Sequence, residues 1–397
     1  MRRRSQDQRI MLRKIIIDNF KSIRHCETEF GRINLLIGEN GAGKSNLISF
    51  IELAQTGGHR MRNYVLTHLG MSRLLHGGIK KSKVISGTLI FEGEGDGEFY
   101  CDRAETDSAY SISIGTAIDG STPVVIEEAQ YCDIPKGEPH EYGEKLLLGG
   151  IEEQNRMTEL KLRTQREVGP GHYADVRTVH FVRVPIHSIN IYHFQDTGNM
   201  SAIRGKANID DNKVLKKDGE NLASMLYLIS QTEPRVFKMI EMMMRRVAPY
   251  FRRFDLQPDR MNPRLISIEW KENDSDVYLD STSFSDGTIR FLAICVALMQ
   301  PNTPKTIIID EPESGLHPAA ISIVAGLIRK ASAHSQIIVA TQSADFVSEF
   351  SLDQIIVAER RDGSTIFSHL SEDDFKVWLD EYSSGELWKK NLIGGRP

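Results

Sequence analysis

Cysteine is scarce: the 397 residues contain four, at Cys26, Cys101, Cys132 and Cys295, with no C-x-x-C pair. That spacing argues against a disulfide framework or a zinc site and fits a reducing compartment. Long apolar runs are missing as well. The longest, Phe291–Met299, is about half of what a membrane-crossing helix needs. The N-terminal MRRRSQDQRI carries the positive charge of a signal peptide with no apolar stretch behind it. Charge of one sign does not dominate, since 49 Lys and Arg stand against 54 Asp and Glu for a formal net charge of −5. A basic coat is thereby excluded, while a local basic patch is not. There is no internal repeat, no heptad array long enough for a coiled coil and no low-complexity tract. What is left is an expected soluble, cytoplasmic protein with an ordinary 40% hydrophobic and 26% charged composition, long enough for two or three structural units.

Residues 1–10 precede the patterned chain and are expected to form a disordered leader. From Met11 the pattern reads strand, short strand, then INLLIG, a buried strand running into a glycine-rich loop and a helix. Between Lys83 and Tyr131 short alternating runs separated by Gly, Asp and Ser predict an antiparallel meander. Residues 151–265 are more helical and more basic, with 19 Lys and Arg against 14 Asp and Glu. After Leu265 come a strand over LISIEW, an apolar helix behind the knuckle SFSDGT, the strand TIIID, a helix over 318–331, and the strands QIIVATQS and QIIVAER. Strands alternating with helices predict an α/β fold with a mostly parallel core sheet, an antiparallel β subdomain and a helical insertion. The expected organisation is an N-terminal lobe over 11–136, the insertion over 137–265 and a C-terminal lobe over 266–397.

GENGAGKS, Gly38–Ser45, matches G-x-x-x-x-G-K-[ST] at every fixed position and lies between a strand and a helix, the context that phosphate loops require. Backbone N–H groups over Asn40, Gly41, Ala42, Gly43 and Lys44, with the opening of the helix through Asn46, offer an anion cradle. Lys44 would bridge the β- and γ-phosphates of ATP and Ser45 would ligate Mg2+. TIIIDEPES ends a β-rich run in paired acids. A carboxylate at the tip of a buried strand is costly without a partner, and Mg2+ is such a partner for Asp310. Glu311 would face the attacking water as general base. The alternative is an acidic pair that caps the next helix.

GENGAGKSN, FSDGT and IIIDEPESGLHP, in that order, resemble the ATPase heads of the ABC class, in particular the branch that includes RecF, SMC and OLD proteins. LRKIIIDNFKSI resembles the first strand of those heads, ATQSADF occupies the place of their switch strand, and the C-terminal tail resembles stand-alone prokaryotic ATPases of the AAA type grouped with that branch. The resemblance implies a P-loop ATPase of ABC type that forms a homodimer around ATP and Mg2+. Ser285, Asp286 and Gly287 would then be the signature loop, touching the γ-phosphate of a nucleotide held by the other copy. An ordinary N-cap of a core helix is the alternative for Ser285 or Asp286.

Two departures from that pattern bear on activity. Gln342 stands where many such heads carry a switch histidine, and an amide cannot accept a proton near neutral pH. It would contact the γ-phosphate or the lytic water, so slow hydrolysis is expected. For the Q-loop, Gln195 in INIYHFQD is the candidate further metal contact, with His193, Asp196 or a plain surface turn as alternatives. His317 would either sense the dimer partner or cap the helix opened by Pro318. The pairs Arg245/Arg246 and Arg252/Arg253 would contact nucleic acid phosphates or form a solvated face.

Lys44 and Ser285 are 241 positions apart, much farther than the resemblance implies for a transporter subunit. The resemblance thus implies an ATP-driven switch that regulates a separately encoded effector protein, in a prokaryotic defence system. The rival is a RecF-like DNA repair or maintenance ATPase, with DNA as the partner. No membrane partner is expected.

Overall fold

The computed structural model describes residues 9–94, 105–116, 123–133, 146–150 and 185–396. The chain divides into two compact units, one of Met1–Gly31, Glu39–Ile189 and Val357–Ser368, the other of Arg32–Gly38, Asn190–Ile356 and His369–Pro397.

In the first unit an antiparallel sheet runs in the order Ile23–Glu29, Arg9–Phe20, Val84–Glu94, Glu105–Thr116, Pro123–Asp133, Leu146–Gly150. The predicted meander is its centre. The first strand begins at Arg9, two residues inside the stretch expected to be a leader, because Arg9 and Ile10 pair with Glu94 and Gly93. Residues 1–8 lie outside the described residues. A register shift between Leu12 and Lys14 resets the alternation of this strand, so that Leu12, Ile15 and Ile17 are all fully buried despite their uneven spacing. The helix Lys44–Thr67 lies on this sheet through Phe50, whose ring meets Phe20 edge-on at 5.4 Å between centroids. Gly87 makes that approach feasible, since a Cβ there would fall 2.3 Å from the Phe50 ring and 2.6 Å from the carbonyl oxygen of Ile16.

The second unit is built on three parallel strands, Ile33–Ile37, Gln336–Ala340 and Thr306–Asp310, adjacent in that order. Ile189–Tyr192 follows on the far side of Thr306–Asp310. Every residue of the three parallel strands is buried, which explains why they read as unbroken aliphatic runs and not as alternating ones. Their carboxyl ends coincide: Asp310 pairs with Ala340, Ala340 pairs with Leu36, and Thr341 N–H donates to the Leu36 carbonyl at 3.0 Å. The helix Asp286–Met299 is buried without interruption from Thr288 to Leu298, a stretch that is apolar on every side except at Thr288 and Arg290. The helix Pro318–Ala331 keeps its predicted bounds.

LISIEW is not one strand. Leu265–Ile266 pairs with Ala207–Asn208, whereas Glu269–Glu272 joins a separate sheet between Phe251–Asp255 and Tyr278–Asp280. Ile266, Ile268 and Trp270 are buried along both pieces, so the alternation continues across a change of partner and hides it. Trp270 stacks on Phe284 at 4.4 Å between centroids and donates its indole N–H to Asp280 O at 3.0 Å. That stack anchors the residue immediately before the SDGT knuckle. The insertion expected over 137–265 lies partly outside the described residues; within them it holds the helices Leu222–Thr232 and Pro234–Val247 together with short strands.

Candidate nucleotide site

The glycine loop is shaped by backbone conformations that favour glycine. Gly41 has φ +80° and Gly43 φ +112°, and Gly43 is the N-cap residue of the Lys44 helix, which has no side-chain cap. A Cβ on Gly43 would lie 2.2 Å from Thr365 Oγ1 and 2.9 Å from Ser22 Oγ. Lys44 is buried, with its ammonium donating to Glu39 O at 3.1 Å, while Glu39, Asn40, Gly41 and Ser45 form an exposed rim.

Behind the loop runs a relay whose direction follows from the donors available. Thr365 donates to the Ala42 carbonyl at 2.7 Å, which uses its single proton. Ser22 must then donate to Thr365 at 2.6 Å, and Ser22 in turn accepts from Asn46 Nδ2 at 2.7 Å. Asn46, one of the candidate cradle residues, therefore points its amide back into this relay. Ala42 and Thr365 are fully buried.

The acidic residues lie in the second unit. Asp310 closes its strand with 9% of its surface exposed, and His193 Nδ1 lies 3.5 Å from its Oδ2. His193 thus presents its ring to the acid, whereas the Gln195 side chain is exposed and Asp196 Oδ1 accepts from Gly198 N at 3.3 Å in a turn. Glu311 adopts φ +50°, a conformation rare for a non-glycine residue, and its N–H is tied to Ala340 O at 2.8 Å. Gln342 Nε2 donates to Glu311 Oε1 at 2.5 Å. Glu313, buried nearby, accepts from Thr341 Oγ1 at 2.6 Å and from Gln342 N at 3.1 Å. Burial, with the charge of Glu311 adding to it, holds the Glu313 carboxyl above the ordinary glutamate range, against the lowering effect of those two bonds.

At the knuckle, Ser285 caps the buried helix, its Oγ accepting from Thr288 N at 3.2 Å, and both Ser285 and Asp286 are exposed. The capping alternative is therefore realised in the geometry, and it leaves the outer face of the loop accessible. Gly287 is required by contact: a Cβ would lie 2.3 Å from the Gly315 carbonyl oxygen. His317 caps its own helix, with Nδ1 accepting from Ala319 N at 3.3 Å, and it is exposed.

Two buried arginines escaped the sequence reading. Arg204 donates to the carbonyls of Thr197, Ser281 and Phe284 and to Asp286 Oδ1 at 2.9 Å, fixing the base of the knuckle. Arg290, inside the buried helix, donates to Phe194 O at 2.8 Å, Gln195 O at 3.2 Å and Ser314 O, joining two loops to the helix. A lone cation inside TIRFLAICVALM was a legible signal for Arg290, because a buried charge must be met by acceptors. Arg204 and Thr365 carried no such mark. Of the surface arginines, Arg245 is engaged by Glu241 at 3.3 Å and by Arg252 O at 2.9 Å, while Arg246, Arg252 and Arg253 are exposed.

These elements define a mixed α/β fold with a parallel-rich sheet and separate antiparallel sheets, the fold of Smc heads. The chain belongs to the family described as AAA domain, putative AbiEii toxin, Type IV TA system, which matches residues 33–348. Among solved structures the fold is similar to an Smc head bound to the C-winged helix domain of ScpA, at 17% identity and TM-score 0.54, covering 91% of this chain and 99% of that one. It is similar to the Smc head with an extended coiled coil bound to the C-terminal domain of ScpA from Pyrococcus furiosus (16%, TM-score 0.54, 94% and 99%). A Pyrococcus yayanosii Smc head with a coiled coil and joint is also similar (15%, TM-score 0.52, 94% and 99%). At these identities the likeness establishes the fold. No curated protein matches the chain. No helix among the described residues is long and apolar enough to cross a membrane.

Proposed function

We propose that this chain binds ATP and Mg2+, hydrolyses ATP slowly and uses the cycle as a switch that holds or releases a separately encoded effector. The observation that carries this reading is Gln342 held on Glu311 at 2.5 Å, one residue beyond Asp310, on strands whose carboxyl ends are level with the strand that opens the glycine loop. The residues fit the cofactors. Gly41 and Gly43 take the positive φ with which successive backbone N–H groups can form an anion-binding concavity. Ser45 and Asp310 offer the hard oxygen donors that Mg2+ takes.

In this reading the glycine-loop N–H groups other than those of Ala42 and Asn46, which donate to Glu39 O and Gly43 O, bind the β- and γ-phosphates together with the Lys44 ammonium. Bound Mg2+ supplies neutralisation of the phosphate charge. Glu311 takes the proton of the attacking water. Gln342 orients without accepting a proton, which keeps turnover slow. Gln195 remains the proposed further metal contact, with His193 its rival because its ring lies 3.5 Å from Asp310.

Exposed Ser285 and Asp286, with Gly287, would serve the nucleotide of a second copy, making closure of a homodimer the output and His317 a sensor of the partner. The family description, which names a putative toxin of a Type IV TA system, is in keeping with a place in a two-gene system, and the effector partner is part of the proposal. Direct DNA binding is the second reading. It is favoured by exposed Arg252 and Arg253, the latter opposite Lys271 on the neighbouring strand. Phosphate release by the wild type, Lys44→Ala and Glu311→Gln tests the ATPase; a wild-type chain that releases none overturns it. A steep loss of duplex DNA binding between low and moderate salt, abolished by Arg252→Glu/Arg253→Glu, would favour the second reading.

A further inference from the structure

We propose that Glu313 is a positioning residue for hydrolysis, holding the turn Thr341–Ser343 so that the Gln342 amide stays on Glu311. The inference rests on the reading above, in which Glu311 and Gln342 act on ATP.

One carboxyl oxygen organises the turn. Glu313 Oε1 accepts both the Thr341 hydroxyl at 2.6 Å and the Gln342 backbone N–H at 3.1 Å. The Thr341 hydroxyl has spent its proton on Glu313, and its oxygen accepts from Ser343 N at 3.1 Å. Two successive residues beyond the core strand thus donate to a single acceptor, and Ser343 is tied to the first of them through the Thr341 hydroxyl. Gln342 has its backbone fixed at Glu313 and its side chain at Glu311, two residues away in the acidic loop, whose own N–H returns to Ala340 O at 2.8 Å. Four hydrogen bonds stitch the two loops, and two of them end on Glu313 Oε1.

The second oxygen, Oε2, is buried and has no hydrogen-bond partner in the described structure. An unpaired buried carboxylate oxygen is costly, and burial accordingly raises the Glu313 carboxyl above its ordinary range. Glutamine has the same reach, keeps the carbonyl acceptor and carries no charge, so it should serve in place of Glu313. Aspartate keeps the acid but is shorter by one methylene and cannot hold both donors.

The test compares steady-state phosphate release and equilibrium binding of a fluorescent ATP analogue for wild type, Glu313→Gln, Glu313→Ala and Glu313→Asp. Expected are a fall in kcat of at least about 10-fold for Ala and Asp, on the scale of a misplaced catalytic group, analogue affinity within about 2-fold, and restored kcat in Glu313→Gln. In a Gln342→Ala background Glu313→Asp should cost nothing further, because both act through one contact. If Glu313→Ala does not fold, Asp against Gln decides. Wild-type kcat in Glu313→Asp, equal losses in Asp and Gln, or losses that multiply with Gln342→Ala overturn the proposal. Glu311→Gln run alongside separates the two readings: if it stops turnover while Glu313→Asp does not, Glu313 alone fails, and a wild type without turnover overturns both.

Discussion

The hydroxyl of Thr365 reaches 2.7 Å from the carbonyl of Ala42 although the two residues are 323 positions apart. A strand near the C-terminus therefore supports the back of the glycine loop. Its methyl and hydroxyl also occupy the space that any side chain at position 43 would need.

Thr365→Val preserves that shape and removes the donor. The Ala42 carbonyl and the Ser22 hydroxyl each lose a buried partner, at about 1–3 kcal/mol. Affinity for a fluorescent ATP analogue should fall about 5- to 10-fold, as about 1 kcal/mol of that loss reaches the cradle. Equal affinity in an equilibrium titration would show that the relay does not support binding.

Lys44→Ala should abolish ATP binding. The ammonium sits buried at the loop, where no water can replace the charge it offers to phosphate. The same titration reads it, and retained affinity would remove the phosphate-loop assignment.

Glu311→Gln should keep ATP bound while phosphate release falls by at least about 100-fold, the scale of general-base loss. The glycine loop and Lys44 are untouched by this change. Wild-type turnover in both Asp310→Asn and Glu311→Gln would reduce the acids to a helix cap.

Ser285→Arg removes the cap that Ser285 provides to Thr288 N, a cost of about 1 kcal/mol that should appear as a small drop in Tm. The proposed trans role predicts more: ATP binding by the isolated chain stays near normal, yet ATP-dependent dimerisation and hydrolysis are lost. Sedimentation of Glu311→Gln with ATP, with and without Ser285→Arg, reads the difference. A double variant that still dimerises leaves Ser285 as a cap and nothing else.

The fold class and the family resemblance were legible because their signals are local. GENGAGKS places a turn, a helix start and a cation within one short stretch, and TIIID and QIIVA announce strands buried on both faces by the unbroken aliphatic runs at their centres. Where one pattern served two partners, as in LISIEW, alternation was preserved and the break was invisible. The sequence reading likewise treated Glu313 as part of a motif and passed over what it binds.

By itself the sequence determined which segments end in glycines, in acids or in a capped helix, since backbone conformation and strand burial are set by neighbouring residues. Only the tertiary structure decided which side chains hold those segments in place. Thr365 meets Ala42, Arg290 meets Phe194 and Ser314, and Glu313 meets Thr341 and Gln342 through hydrogen bonds between groups distant in the chain. Such bonds leave no periodicity or composition to read. They exist because folding buries polar groups that must then find whichever partner the packing brings within reach.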